Sequence, residues 1–142
     1  MLPERVADVV VRLPKTLALS TTVGEARAEF ADDHIHMLLL TANGFLLGTL
    51  VPADLMSADS DGDLALVYAV LAGRTLAPTT GAEDARRLLV AGGERRRAVV
   101  DADGRLLGLL CLKSRLTGFC SDSDVAARAA ETLVSASGGS LR

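Results

Sequence analysis

The sequence predicts an α+β fold made of two tandem copies of one β-α-β-β-α unit. The main evidence comes from comparing the chain with itself, because self-similarity at a fixed spacing reveals a repeat before any single element is assigned. Residues 41–48 read T-A-N-G-F-L-L-G and residues 101–108 read D-A-D-G-R-L-L-G, so five of eight positions are identical at a spacing of 60. Upstream, Thr22-Val23-Gly24-Glu25 and Thr80-Gly81-Ala82-Glu83 share the T-x-x-E form of a helix capping box at a spacing of 58. The growth from 58 to 60 places two extra residues in the second copy, near Gly92-Gly93. This divides the chain into a first repeat over 5–57, a linker and apolar helix over 58–72, a second repeat over 73–117, and a C-terminal helix with a disordered tail over 118–142.

In the first copy, Thr16 to Leu19 is an extended run closed by Ser20-Thr21. A helix follows from Val23 to about Asp33, with Val23, Ala26 and Phe30 on one face at helical spacing. Met37 to Leu40 is a continuous apolar strand of the kind buried on both faces. Asn43-Gly44 predicts a two-residue type I′ hairpin turn, which needs positive φ at both central residues. The return strand is Leu46 to Val51, and Pro52 opens a short helix through Leu55, because its fixed φ suits a first helical turn.

The second copy repeats this order with an extended run at Arg74–Ala77 and a helix over Ala82–Ala91 that turns Ala85, Leu88 and Leu89 inward. Strands at Ala98–Val100 and Leu106–Cys111 flank Asp103-Gly104, and a short helix covers Leu112 to Leu116. The strands joined by each helix should be parallel with a right-handed crossover. Between the copies, Leu64 to Ala72 is apolar nearly all round and reads as a buried helix, preceded by the acidic linker Asp59-Ser60-Asp61-Gly62-Asp63 as its cap. The linker is no EF-hand loop, since counting from Asp59 puts glycine at position four and Val70 at twelve. A further helix is expected over Val125–Val134, with a disordered tail from Ser135.

Composition limits the function classes. The 142 residues are 49% hydrophobic and 23% charged, enough for a core without disulfide or metal staples. A net charge of -3 argues against a nucleic-acid partner. The longest apolar run is nine residues, too short to span a membrane, and the N-terminus lacks a signal-peptide layout, so a soluble, reduced, cytoplasmic protein is expected. Cys111, at a strand end, reads as a small buried hydrophobe and Cys120 as exposed, with a redox pair left open. His34 and His36 have no third ligand in sequence for a metal site, and Arg95-Arg96-Arg97 reads as a solvated loop or a contact for phosphate or an acidic partner. No catalytic constellation is present, so an enzyme is not expected.

A duplicated β-α-β-β-α unit with a turn glycine followed by h-h-G-h-h resembles the cystathionine β-synthase (CBS) domain pair, or Bateman module. The carrying segments are Val6–Val9 before Lys15-Thr16-Leu17, the two T-x-x-E boxes, the two hairpins, and Gly48 to Leu55, spanning about residues 5 to 117. The resemblance implies two copies packed sheet to sheet about a pseudo-two-fold axis, with clefts that take adenosine-containing ligands such as AMP, ATP or S-adenosylmethionine. It also implies a homodimer and a regulated partner protein. The family motif G-h-h-[S/T]-x-x-D supplies a hydroxyl for phosphate and an aspartate for ribose. The first copy reads Gly48 to Asp54 with Val51 at the hydroxyl position; the second has Cys111 there and Ser114 in place of the aspartate.

The resemblance therefore implies a site in which Asp54 holds the ribose. Thr16 and Leu17 line the extended run, the Met37-Leu38 backbone lies beside the base, and Arg97 or Lys113 faces the phosphate, with Ser114 at the second cleft. The expected function is a regulatory module that senses an adenosine-containing ligand. The alternative is a ligand-free pair acting in dimerisation or protein interaction, supported by the two incomplete motifs and the apolar 64–72 stretch.

Overall fold

The computed structural model describes residues 4–12, 14–113 and 118–120. A short helix α1 (Val6–Val9) leads into β1 (Thr16–Ala18), α2 (Val23–Phe30), β2 (Leu38–Ala42) and β3 (Phe45–Leu50), then a 3-10 helix over Pro52–Leu55. A second 3-10 helix, Ala65–Tyr68, precedes β4 (Thr75–Leu76), α3 (Ala82–Ala91), β5 (Arg96–Val100) and β6 (Leu106–Cys111). The strands form two three-stranded sheets, β1-β2-β3 and β4-β5-β6. In each, the crossover pair is parallel and the hairpin pair antiparallel. The α+β repeat fold is therefore as predicted.

The middle strands β2 and β5 are buried on both faces at Leu38–Leu40 and Ala98–Val99, because each sheet is covered twice there, whereas Leu47 of β3 and Leu107 of β6 are exposed. Leu38, Leu40 and Leu50 pack with Val23 and Ala26 of α2 on one face, while Leu39 points the other way, into a cluster with Leu46 and Ala98 that joins the sheets. Val99 and Leu110 likewise meet Ala85 and Leu89 of α3. Alternation puts successive residues on opposite faces, and here both faces are dry. At the hairpin tips the sheets also exchange backbone bonds. The Leu46 amide donates to Gly104 O at 3.0 Å and the Leu106 amide to Gly44 O at 2.9 Å, and the Arg105 guanidinium sits 5.3 Å from the Phe45 ring centre. This reciprocity is the signature of a pseudo-two-fold axis.

The repeat register differs from the sequence reading. Strand pairing sets Leu17 against Leu40 and Leu76 against Val99, a spacing of 59, while Gly48 and Gly108 pair with Leu40 and Val99 at a spacing of 60. Thus Thr80 corresponds to Thr21, not Thr22. Thr22 and Glu25 do form the expected capping box on α2, with Glu25 N to Thr22 Oγ1 at 3.1 Å. The second box does not form, because Gly81 is the N-cap of α3, and Glu83 turns instead to Arg86. The added residue lies in the second hairpin rather than near Gly92-Gly93. Asn43 and Gly44 have φ of 52° and 85°, as a type I′ turn requires. Around Gly104 the loop is wider and Asp101 Oδ1 accepts the amides of Asp103 and Arg105.

Other boundaries shift for local reasons. Helix α2 stops at Phe30 rather than near Asp33, because the Asp32 side chain accepts the His34 amide in an Asx turn that competes with the helix. Strand β2 begins at Leu38, leaving Met37, His34 and His36 outside it. Leu88, expected inward, is 43% exposed, since Ala85 and Leu89 already fill the buried stripe of α3. Beyond β6, Leu112 bridges Phe119 instead of starting a helix. Ser114, most of that expected helix, the Val125–Val134 helix and the tail lie outside the described residues.

The predicted helix over Leu64–Ala72 is replaced by the 3-10 helix Ala65–Tyr68 with extended ends, and Val67 is 73% exposed. Its ends are held by pairing with the first repeat: the Ala65 amide donates to Thr21 O at 3.0 Å, and Thr49 and Val70 exchange backbone bonds at 2.8 Å. The leader of the first repeat makes the corresponding bonds to the second. The Val6 amide donates to Thr80 O at 2.8 Å, and Val11 and Leu109 exchange bonds at 2.9 Å. Each repeat is thus completed by the segment that precedes the other. The acidic linker caps the helix before it, not one after it, through Asp61 O and Asp63 O to the amides of Gly24 and Val23.

Two glycines make these crossings possible. A Cβ on Gly48 would stand 2.5 Å from the Ala69 Cβ, and one on Gly108 would stand 2.7 Å from the Val11 carbonyl oxygen. Gly108→Ala should therefore cost about 1–3 kcal/mol by overpacking, read as a lower urea midpoint with unchanged slope. Gly62→Ala, on the open linker, should stay within about 0.5 kcal/mol of the parent. Equal stability of the two variants would show that the crossing is not close.

Candidate functional site

Strand β3 is apolar except for Thr49, which is fully buried. Opposed residues on antiparallel strands project to the same face, so the Thr49–Leu39 pairing turns Thr49 toward the face where the two sheets meet. Its hydroxyl donates to Val70 O at 2.6 Å and accepts from Arg74 Nη1 at 3.3 Å. Just beyond β3, Pro52 starts the 3-10 helix, and Asp54 folds back so that its Oδ2 accepts the Val51 amide at 2.7 Å.

Arg74 completes the arrangement from the second repeat. Its carbonyl accepts the Ala98 amide at 3.0 Å, which anchors it to β5 immediately before β4. Its guanidinium grips Asp54 with two parallel bonds, Nη1 to Oδ2 and Nη2 to Oδ1, each 3.0 Å. The two side chains are 13% and 19% exposed. A paired geometry this sheltered is stronger and more directional than a surface ion pair. The junction between the repeats therefore carries a guanidinium bonded both to a carboxylate and to a hydroxyl.

The opposite junction has different chemistry. The repeat register places Lys15 opposite Arg74 and Leu109 opposite Thr49, with Ser114 at the position of Asp54. Lys15 pairs with Glu29 of α2 rather than with the junction. Arg74 and Thr49 were missed from sequence. The available signals were a lone polar residue inside the run Phe45–Leu50 and a basic residue immediately before an extended run in each copy.

The remaining sequence candidates are dispersed. Thr16 and Leu17 lie on the edge strand β1, Thr16 exposed and Leu17 partly packed against the first core. Leu38 is buried beneath α2, while Met37 reaches the cluster between the sheets. Arg97 precedes Val99 by two on β5, so it points to the α3 side, and it pairs with Glu94 at 3.0 Å. The Lys113 amide donates to Gly118 O, and its side chain is exposed. Arg95 donates to Leu112 O at 3.2 Å, so the arginine triplet is divided among local partners. Among the described residues no group of three His, Cys, Asp or Glu side chains could hold a metal ion, and no helix is long and apolar enough to cross a membrane.

Ionisation is perturbed by local partners away from this junction. Tyr68 donates to Asp63 at 3.0 Å, which raises its phenol above the ordinary value. On α3 the hydrogen bond from Arg86 lowers Glu83. Two shallow hollows, of about 370 and 400 Å³, also lie elsewhere. The first is lined by Arg27, Phe30, Ala31, Pro52, Leu55 and Met56, the second by residues in and around α1 from Glu4 to Arg12 with Phe119 and Cys120.

Cys111 and Cys120 are both buried and joined by a disulfide, with Cα atoms 5.2 Å apart, which corrects the expectation of reduced thiols and an exposed Cys120. The Leu112–Phe119 bridge, and the Cys120 amide donating to Cys111 O at 2.6 Å, set the two residues opposite each other.

The family model described as "CBS domain" matches residues 74–119. No curated protein matches the sequence. Among solved structures, CBSX2 in complex with AMP is 25% identical with a TM-score of 0.65, covering 75% of this chain and 89% of its own. The putative acetoin utilization protein AcuB of Vibrio cholerae is 22% identical with a TM-score of 0.66, covering 93% of this chain and 94% of its own. A CBS domain protein of Pyrobaculum aerophilum complexed with AMP is 21% identical with a TM-score of 0.64, covering 89% of this chain and 99% of its own.

Removing one partner of the junction should strand the other. Asp54→Ala is expected to destabilise the protein by about 1.5–3 kcal/mol, the range for hydrogen bonds to charged groups. Asp54→Ala and Arg74→Ala together should cost less than the sum of the single changes, measured as a double-mutant cycle in urea; strict additivity would mean the pair is not formed. Reducing the Cys111–Cys120 bridge, which closes a nine-residue separation, should cost about 2–3 kcal/mol on loop-closure grounds. Unfolding in the presence and absence of a dithiol measures it, with alkylation mass reporting the thiols.

Proposed function

We propose that this chain is a regulatory module that senses an adenine nucleotide at the Asp54 junction, because the CBS domain model matches residues 74–119 and the repeat before them has the same strand order. The observation that carries the reading is the pairing of Asp54 with Arg74 from the other repeat. A ribose diol needs a carboxylate acceptor, and a phosphate needs a cation able to make a fork of bonds. Both stand side by side here, between two apolar sheets. Two of the similar structures hold AMP, which supports an adenine ligand of this class.

The consequence for signalling is mechanical. The Asp54–Arg74 pair ties the end of β3 in the first repeat to the start of β4 in the second. A nucleotide that takes both side chains replaces that direct tie with a longer one through the ligand. It shifts the population between repeat arrangements by its difference in affinity for them. The module acts as a homodimer, and the arrangement is read by the second copy or by a regulated protein.

The second reading, an interaction module without a ligand, is favoured by one feature: Asp54 already accepts from two guanidinium nitrogens and the Val51 amide. Thermal unfolding with AMP, ADP, ATP, S-adenosylmethionine and NAD separates the two. At a hundred times Kd a ligand adds about 2.7 kcal/mol, a clear rise in Tm, and Asp54→Asn should weaken binding tenfold or more. No rise with any compound at millimolar concentration overturns the sensing reading. A concentration-independent dimer in light scattering would then support the second.

A further inference from the structure

We infer that the Cys111–Cys120 bridge is a thiol–disulfide exchange site, opened at Cys120 by a dithiol, whose state decides whether the leader of the first repeat stays docked on the second. This is independent of the nucleotide reading. The chain has two cysteines, both in the bridge, so the attacking thiol comes from outside. Both residues are buried, but Cys120 lines the hollow of about 400 Å³ beside α1, with Val9, Val10 and Phe119, while Cys111 does not. Exchange needs a thiolate to reach one of the two sulfurs. From the hollow the attack falls on Cys120. The thiolate of the dithiol bonds to Cys120 Sγ as the S–S bond breaks, and Cys111 departs with the electron pair. The second thiol of the reductant then displaces Cys120 and closes the reductant into its own cyclic disulfide. Two electrons pass from the dithiol to the bridge, and its two protons end on the two cysteine thiols.

The bridge bears directly on the leader. Val11 packs with both cysteines in one buried cluster, and Val6 and Val10 share a second cluster with Phe119. The segment carrying Phe119 and Cys120 is fastened by the Lys113 amide donating to Gly118 O at 2.7 Å and the Cys120 amide donating to Cys111 O at 2.6 Å. The leader has little structure of its own. Its helix α1 is a single turn of four residues, and the amides of Val6, Ala7 and Val11 reach across to the carbonyls of Thr80, Pro78 and Leu109. One turn of helix does not persist without such docking. Breaking the bridge frees residues 118–120 to leave, uncovers Val6, Val10 and Val11, and lowers the free energy of opening the leader as one local unit. The edge of β6 at Leu109 then loses its partner. The equivalent crossing in the first repeat, Thr49 with Val70, has Val51 where the second has Cys111, so it carries no bridge.

The test is amide hydrogen exchange of the full chain without denaturant, oxidised and after dithiothreitol, with thiols counted by alkylation mass in a parallel sample. The first-repeat crossing is the internal reference, since a general loss of stability speeds both crossings alike. Reduction should accelerate exchange at Val11 and Leu109 at least about tenfold more than at Thr49 and Val70. Equal acceleration at both crossings makes the bridge a general staple and overturns the switch, and so does unchanged exchange at Val11 in a fully reduced sample. A bridge that dithiothreitol reduces only in urea overturns the exchange site. The attacked sulfur is read with β-mercaptoethanol and early trapping by N-ethylmaleimide: the mixed disulfide should sit on Cys120 and the maleimide on Cys111, and the reverse pattern overturns the assignment. Cys111→Ser with Cys120→Ser should show the fast Val11 exchange with or without dithiothreitol, and slow exchange there counts against the switch. Should that variant not fold, the reduced wild type decides.

Discussion

At two places the backbone of one segment passes a strand so closely that only a glycine on the strand leaves room. Val10-Val11 crosses β6 at Gly108, and Ala69-Val70 crosses β3 at Gly48. Each crossing segment adds a bridge to the free edge of a hairpin, and each belongs to the chain that leads into the opposite repeat. Neither sheet is therefore complete within its own sequence block. Val6 and Val10 fill the core beneath α3, while Ala65 fills the core beneath α2. The pair of repeats, rather than one repeat, is the unit that buries its apolar faces. Contacts such as Val11 with Leu109 close long loops, so much of the stability is in place only when both halves are present.

That exchange also explains where the polar junction comes from. After Val70, the segment that completes the first sheet makes one turn, closed by the Arg74 amide donating to Leu71 O, and delivers Arg74 immediately before β4. The same crossing that satisfies the Thr49 backbone thus delivers a guanidinium to the face between the sheets, next to the carboxylate that follows β3. Duplication provides two such geometries, but only one carries the Asp, Arg and Thr together. The backbone symmetry is close and the chemistry is asymmetric.

The second repeat has its own addition after β6. Leu112 and Phe119 form an antiparallel bridge beside the Cys111–Cys120 disulfide, and Phe119 packs against the cluster that holds Val6 and Val10. Cys111 occupies the place that Val51 has in the first copy, so the same strand end is built for a bridge in one repeat and for the Asp54 turn in the other.

Sequence alone determined the duplication, the two hairpins, the type I′ turn at Asn43-Gly44, the first capping box and the Pro52 helix start. All of these depend on interactions within a few residues, where side-chain chemistry and φ preferences act directly. The resemblance to the CBS-domain pair, rather than the spacing itself, singled out Asp54 as the residue at the aspartate position of that motif. Tertiary structure decided the rest. An apolar run from Leu64 to Ala72 favours a helix by composition, yet pairing with Thr21 and Thr49, which lie far away in the chain, holds its ends extended. The T-x-x-E at Thr80 is a capping pattern that loses to the register imposed by the sheet, which starts α3 after Gly81. Arg74 and Thr49 stood out only as a basic residue before an extended run and a lone polar residue in an apolar one, because their meaning comes from the packing that brings Arg74 to both Thr49 and Asp54. Local energies choose among conformations of a few residues. The partner of a charge set twenty residues away is chosen by the fold that brings the two side chains together.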